Sequence, residues 1–133
     1  MASIFTKIIN REIPGHFVYE DDICVVLMDK FPGVKGQTLV IPKEEVDYLF
    51  DLDDKSYVHI LGVAKRVAKA SDDAFATLRT CVVIEGFEVP HAHIRLYPIT
   101  DTTESLAKQI SNIAEKDDET LALEAEEIRN HLS

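Results

Sequence analysis

The chain has 133 residues, 46% of them hydrophobic, and a formal net charge of −10. This length and composition predict one domain with a real hydrophobic core, and the acidity argues against nucleic acid or an anionic membrane as a general partner, because both attract basic surfaces. We expect a cytoplasmic protein with reduced thiols at Cys24 and Cys81, since no apolar run is long enough to span a membrane and no signal-peptide pattern is present.

The first third of the chain predicts a short helix followed by three strands. Ser3 is suited to cap the helix, whose apolar residues are Ile4, Phe5, Ile8 and Ile9. Residues 17–20 and 23–29 predict two strands that an acidic turn joins, and residues 37–41 predict a third strand that ends at a proline. The acidic turn between the first two strands indicates a β-hairpin.

The middle of the chain predicts one long helix between a short helical link and a further strand. The link covers residues 44–50, and the long helix begins after Asp53 or Asp54 and ends before a loop at residues 71–73. Residues 78–85 predict the next strand, which a tight link joins to a final strand.

Residues 101–133 differ in composition from residues 1–100, because they carry nine acidic and only three basic residues. Their periodicity predicts two amphipathic helices, the second capped by Asp117 or Asp118. The apolar stripes are Leu106, Ile110 and Ile113, then Leu121, Ala125, Ile128 and Leu132. They could cover the domain itself, a partner subunit or the rim of an active site. The chain is therefore expected to be an α+β domain whose acidic helical C-terminal extension belongs to the same domain.

Chemistry concentrates in residues 90–98, where His91, His93 and Arg95 recur at every second position. In a strand these three side chains share one face, and the alternate residues share the other. One phosphate-sized group could contact neighbouring side chains at this spacing, although alternating polar residues more often mark a solvated strand face. A zinc site is a weaker interpretation, because neither cysteine forms a ligand pair with another residue. His59, on the long helix, is expected to be exposed or hydrogen-bonded, because no other motif residue accompanies it.

Several motifs in this chain occur in the order and spacing of the histidine triad (HIT) family. They are Ser3-Ile4-Phe5, Lys7-Ile8-Ile9, Glu12-Ile13-Pro14, Tyr19-Glu20-Asp21-Asp22, Thr38-Leu39-Val40-Ile41-Pro42-Lys43 and Pro90-His91-Ala92-His93. Over about residues 3–98 the chain resembles a bacterial HIT protein. The resemblance implies a meandering antiparallel sheet with one long helix, and no metal or other cofactor. It also implies a homodimer, so we favour packing of the C-terminal helices near the subunit interface.

The resemblance also implies action on nucleoside phosphoramidates, dinucleotides or adenylate-like conjugates through a nucleotidyl-histidine intermediate. His93 would attack the α-phosphorus, the backbone carbonyl of His91 would hold the other ring proton, and Arg95 would stabilise the phosphate charge. Asp29 would bind the ribose hydroxyls, whereas without the resemblance it would be interpreted as a turn former. The remaining nucleotide-binding candidates are Ile4, Phe5, Ile8, Ile13, Leu27 and Glu88.

Four positions depart from the family pattern. Arg95 stands in place of the third histidine and cannot shuttle a proton near neutral pH. Glu45 stands in place of a further histidine and could orient the nucleophile, while Phe87 and Glu88 replace residues that bind phosphate. Glu88 is therefore expected either to turn away or to pair with Arg95 or Lys35.

These departures leave three functions open. We favour a nucleotide hydrolase or nucleotidyl transferase. The alternative is a nucleotide-binding module with little or no hydrolysis, and the third is a structural or partner-binding protein that uses the acidic C-terminal helices. Nucleotide titration separates the third function from the other two.

Overall fold

A computed structural model describes residues 2–133 and contains five strands and five helical segments. The strands are β1 (Phe17–Glu20), β2 (Cys24–Met28), β3 (Thr38–Pro42), β4 (Arg79–Val83) and β5 (Ile94–Ile99). The helices are α1 (Ile4–Ile9), α2 (Asp54–Phe75), α3 (Leu106–Gln109) and α4 (Asp118–His131), with a 3₁₀ turn at Leu49–Asp51. All strand pairs are antiparallel in the order β1-β2-β3-β5-β4, which confirms the predicted α+β class and sheet.

The sheet is covered on both faces, so its central strands are apolar on both sides. Val26 and Val40 belong to a core cluster with residues of α2 and α4. Val25 and Leu27 lie on the opposite face, in a second cluster that includes Phe5 of α1. Every position of β2 and β3 is therefore buried, which explains their continuous apolar sequences.

Strand β5 lies between β3 and β4, so the sheet joins parts of the chain that are distant in sequence. Thr38 pairs with Leu96, and Leu39 pairs with Arg95, across the seam between β3 and β5. This pairing brings the residues just before β5 beside Pro42, at the end of β3.

Helix α2 is longer than its sequence predicts. Asp53 caps it as expected, because the Asp53 carboxylate accepts the backbone N–H of Ser56 at 2.7 Å. The predicted loop at residues 71–73 is wrong, since the helix continues to Phe75. Ser71 is fully buried within α2, and this tertiary packing overrides its preference for turns. Neither α2 nor any other helix within the described residues is long and apolar enough to cross a membrane.

Two other helical predictions are only partly confirmed. In place of a helix at residues 44–50, the chain forms one 3₁₀ turn at Leu49–Asp51. In place of the first C-terminal helix, α3 is a single turn, and Ile113 of the predicted stripe is exposed. Ile110 packs instead on Gly33, where an added Cβ would lie 2.8 Å from the Ile110 Cα.

Helix α4 buries its apolar stripe in the core of its own domain, which is the first of the three surfaces considered for it. Leu121, Ala125 and Ile128 belong to the same core cluster as α2. Asp117 caps the helix as expected, because its side chain accepts the backbone N–H of Thr120 at 3.0 Å.

Glu124 is a buried carboxylate that connects α4 to the loop before β3. Its Oε1 accepts the backbone N–H of Gly36 at 2.9 Å, and its Oε2 accepts a hydrogen bond from Lys116 Nζ at 2.8 Å. Gly36 has a φ of 79° and lies so close to Phe75 that an added Cβ would be 2.5 Å from the Phe75 ring. The loop is therefore held from two sides where it leads into β3.

Candidate active site

His91 and His93 lie in the segment immediately before β5, and not within the strand as predicted. The backbone N–H of Ala92 holds this segment by donating to a carbonyl of the loop after β3 at 2.6 Å. Ala92 and Ile94 enter the core under α2, whereas both imidazoles contact Phe5 on the other side of the sheet. The predicted separation into a chemical face and an apolar face therefore holds.

The ring of His91 is fully buried, and both of its nitrogens have partners. Nε2 lies 2.8 Å from the carbonyl oxygen of Pro42, and because a carbonyl only accepts, Nε2 carries the proton. Nδ1 lies 2.6 Å from the hydroxyl of Ser3, which therefore donates to it when the ring is neutral. This arrangement selects one tautomer of neutral His91.

His93 is oriented by the backbone of His91. Its Nδ1 lies 2.9 Å from the His91 carbonyl oxygen, so Nδ1 carries a proton and Nε2 keeps its lone pair in the neutral ring. Burial lowers the pKa of His93, and the nearby Arg95 cation acts in the same direction. The ring of Phe5 meets His93 edge to face, with 5.0 Å between the centroids. His93 is therefore a neutral, fixed imidazole near pH 7, with Nε2 able to attack an electrophile.

Arg95 extends from β5 at a position paired with Leu39, on the face that carries Phe5. Its Nη1 lies 3.8 Å from Glu85 Oε1, so the acidic neighbour of Arg95 is Glu85, and of the two alternatives for Glu88 the structure agrees with the one in which Glu88 turns away. Glu88 is exposed and forms no ion pair with another described residue. Nε of Arg95 is buried and has no hydrogen-bond partner within the same residues. The Glu85 contact is too long for a hydrogen bond, so the terminal guanidinium nitrogens keep donors for an anionic group beside His93.

Asp29 follows β2 and has both carboxylate oxygens engaged within its loop. Oδ1 accepts the backbone N–H of Phe31 at 2.9 Å, and Oδ2 accepts the side-chain amide of Gln37 at 2.7 Å. These bonds fit the turn-forming interpretation, yet each oxygen retains a second lone pair that a hydroxyl could use. The negative charge of Asp29 also acts on His93, which it stabilises in the protonated form.

Three apolar candidates lie together beside the imidazoles. Phe5, Ile8 and Leu27 belong to the cluster on the α1 face, and Gly15 approaches so closely that a Cβ there would lie 2.6 Å from Ile8. Ile4 and Ile13 do not belong to this cluster, and Ile4 is 49% exposed. Any pocket wall is therefore formed by the buried half of α1 and by β2.

A second polar cluster lies on the opposite face, where Asp21, Cys24 and His59 place possible metal-ligand atoms within 4.8 Å of one another. This grouping was missed from the sequence. The Asp21 carboxylate is already bonded to Tyr19 at 2.7 Å and His59 at 2.6 Å, and burial raises the pKa of the Cys24 thiol to about 12. A metal would have to replace those bonds and remove the thiol proton, so we interpret the cluster as the anchor between the first hairpin and α2. His59 is hydrogen-bonded, as expected.

The chain is similar to known proteins along most of its length. A family model of the HIT domain matches residues 10–102. This chain belongs to the HIT family. An uncharacterized HIT-like protein of Borreliella burgdorferi is 37% identical over 102 residues, which cover 71% of this chain and 73% of that protein. Adenosine 5'-monophosphoramidase HNT1 of Saccharomyces cerevisiae is 35% identical over 106 residues, which cover 79% of this chain and 67% of the yeast protein.

Structural similarity extends to the C-terminal helices of this HIT protein. The crystal structure of a Hit-like protein involved in cell-cycle regulation from Bartonella henselae has a TM-score of 0.86 and 31% identity, and the alignment covers 98% of this chain and 96% of that chain. Helices α3 and α4, which follow the region matched by the family model, therefore belong to the shared architecture. Within the HIT motif itself, this chain carries His91 and His93 and has Arg95 at the third position.

Proposed function

We propose that this HIT protein is a nucleotide hydrolase or nucleotidyl transferase that acts at the α-phosphate of nucleoside phosphoramidates or dinucleotide-type substrates through His93. The observation that carries the proposal is the state of the His93 ring, whose Nδ1 proton is held by the His91 carbonyl while burial keeps the ring neutral. Such a ring presents one nucleophilic nitrogen. The name of the yeast relative, an adenosine 5'-monophosphoramidase, supports the substrate class.

The reaction would proceed in two displacements at phosphorus. Nε2 of His93 forms a bond to the α-phosphorus, the bond to the leaving amine breaks, and the amine takes a proton from water because Arg95 stays protonated. Water then attacks the same phosphorus and loses a proton to the hydroxide left by the first step, the bond to Nε2 breaks, and the nucleoside monophosphate leaves. Arg95 would neutralise the charge that develops on the phosphate oxygens in both steps.

The bound nucleotide would extend from the imidazoles toward α1 and β2. We place the phosphate between His93 and Arg95, and the ribose hydroxyls on the remaining lone pairs of Asp29. The base would lie against the apolar candidates Phe5, Ile8 and Leu27, with Ile4 and Ile13 at the edge and Glu88 on the exposed link. The turn bonds that fix Asp29 support this placement, because they hold the carboxylate in position before ligand arrives.

The test is turnover of adenosine and guanosine 5'-phosphoramidates and dinucleoside polyphosphates, with and without a chelator. We expect release of the nucleoside monophosphate, unaffected by chelator, and a nucleotidyl adduct in the mass of the rapidly quenched protein. Nucleotide binding without turnover would favour the alternative function, a binding module, which the permanent charge of Arg95 also favours. The absence of both binding and turnover would reject both functions.

Replacing Arg95 with histidine is expected to weaken nucleotide binding but raise turnover. A charge-assisted contact to phosphate contributes about 1.5 to 3 kcal/mol, so its loss would raise Kd roughly tenfold or more. An imidazole can protonate the leaving amine, and a positioned general acid contributes about 10² to 10⁴ in rate. Kd and single-turnover hydrolysis would be measured for Arg95→His and for the matched control Arg66→His, which changes an exposed arginine of α2. If both variants behave like the parent, Arg95 does not contact the phosphate.

The proposed assembly is a cytoplasmic homodimer. Strand β4 is at the edge of the sheet and, among residues 2–133, pairs only with β5; Leu78 and Val82 are 67% and 51% exposed. An edge strand with exposed apolar side chains is suited to pairing with a second copy. Light scattering at micromolar concentration is expected to give the mass of a dimer. The Val82→Lys variant is expected to give a lower average mass, because part of it would be monomeric. A parent of monomeric mass would contradict the proposal.

A further inference from the structure

We propose that Ser3, Thr6 and Glu45 form a clamp that fixes His91 and, through it, the orientation of the nucleophile His93. The three are positioning residues, because they contact neither the reacting phosphorus nor the attacking nitrogen. The inference rests on the proposed function and deepens it. It also gives Glu45 a role different from the one its sequence position suggests, since Glu45 approaches His91 and not His93.

Glu45 holds the first turn of α1 against the end of β3. Its Oε1 accepts the backbone N–H of Ser3 at 2.5 Å and the hydroxyl of Thr6 at 2.8 Å. The hydrogen bond from Ser3 contributes most to lowering the pKa of Glu45, and the one from Thr6 contributes next. The carboxylate is therefore ionised at neutral pH. The same oxygen lies 3.9 Å from Nδ1 of His91. One carboxylate therefore organises both the helix cap and the surroundings of the His91 ring.

Ser3 has two functions that can be separated. As the N-cap of α1 its Oγ accepts the backbone N–H of Thr6 at 3.1 Å. With its own proton the same hydroxyl donates to Nδ1 of His91, because Nε2 of that ring already donates to Pro42. The first function requires only an acceptor at position 3, whereas the second requires a donor.

The clamp reaches the nucleophile by two routes. The carbonyl that holds the Nδ1 proton of His93 belongs to His91, so displacement of His91 moves the acceptor on which the His93 tautomer depends. Phe5 lies in the clamped turn and contacts both rings, at centroid distances of 5.8 Å to His91 and 5.0 Å to His93. Loss of the clamp would therefore loosen a wall of the site and the orientation of its nucleophile together.

The decisive variant is Ser3→Asp, which keeps the capping acceptor but cannot donate to His91. We expect its single-turnover rate with adenosine 5'-phosphoramidate to fall about tenfold to hundredfold, because His91 must take a second proton and shift to bond the longer carboxylate, and small misplacements of a reacting group have effects of that size. Nucleotide Kd should change much less than the rate. Ser3→Thr keeps both functions and should recover most of the rate. Ser105→Asp, the same change at the cap of α3, is the matched control and should leave the rate unaltered.

Nitrogen NMR of the imidazoles provides a readout that a capping role would not change. In the parent, Nδ1 of His91 should show the shift of an unprotonated acceptor, and in Ser3→Asp it should show a protonated nitrogen facing the new carboxylate. Parent-like spectra and rates in a folded Ser3→Asp would overturn the clamp. If the parent itself has no turnover, the proposed function fails, while the His91 signal still tests the clamp.

Glu45 offers a second pair of variants if Ser3→Asp does not fold. Glu45→Gln keeps an oxygen that can accept from Ser3 and Thr6, whereas Glu45→Ala removes it. We expect Glu45→Ala to lower the rate and broaden the imidazole signals of His91 and His93, and Glu45→Gln to lie closer to the parent. Equal rates for Glu45→Ala and the parent would reject the role of Glu45.

Discussion

Replacing His93 with alanine is expected to lower kcat/KM for nucleoside phosphoramidates by about 10⁴-fold or more, because single removals of a catalytic nucleophile have effects of that order. The nucleotidyl adduct should disappear at the same time, since no bond from protein to phosphorus can form. Binding of a nucleoside monophosphate should persist, because Arg95, Asp29 and the apolar wall are retained. Initial rates, adduct mass and Kd would be measured on the same preparation.

His131→Ala is the control for this experiment. His131 is exposed at the end of α4, and its one hydrogen bond within the described part of the chain goes to a backbone carbonyl of its own helix, at 2.9 Å. Its removal should leave hydrolysis unchanged. If His93→Ala is folded by thermal melting and its hydrolysis rate is within tenfold of that of the parent, the covalent mechanism is wrong.

Replacing Glu124 with alanine is expected to lower the free energy of unfolding by about 3 kcal/mol, the lower end of the effect of breaking a buried ion pair. The change removes the acceptor for the backbone N–H of Gly36 and leaves Lys116 without its partner at 2.8 Å. Lys116 keeps 22% of its side chain exposed, so water can solvate part of its charge. Denaturant unfolding monitored by circular dichroism would measure the difference.

Glu126→Ala supplies the comparison, because Glu126 is an exposed acid on the same helix. It should change stability by less than about 0.5 kcal/mol. Glu124→Gln should lie between the two, since an amide oxygen can still accept from Gly36 while the charge is lost. Equal stabilities for Glu124→Ala and Glu126→Ala would show that the buried carboxylate does not stabilise the fold.

The sequence predicts those features that depend on short-range pattern. Strands β1 to β3 have apolar runs bounded by turns, and the caps at Ser3, Asp53 and Asp117 precede helical periodicity, so all are found where expected. The HIT motifs likewise predict the family and the antiparallel sheet.

The features that the sequence does not predict depend on residues far apart in the chain. The hydrogen bond from Ser3 to His91 joins positions 88 residues apart, and the cap signature of Ser3 contains no trace of it. From its place after β3, Glu45 was predicted as a residue that could orient His93. Its carboxylate instead accepts hydrogen bonds from Ser3 and Thr6, because α1 packs beside it. The loop predicted at residues 71–73 was wrong for the same reason. Long-range packing buries Ser71 within α2, and the local turn preference of these residues does not reveal that packing.

The seam between β3 and β5 has a consequence for the order in which the protein acquires function. The meander β1-β2-β3 and the hairpin β4-β5 each form from segments close in sequence, whereas pairing of Thr38 with Leu96 closes a loop that contains all of α2. Closing such a loop has a larger entropic barrier, so we expect the seam to form late in folding. Asp29 lies on one side of it, and His93 and Arg95 lie on the other. Neither folding unit carries the complete set of proposed nucleotide contacts, so if the proposal holds, ligand binding would report on the last long-range step of folding.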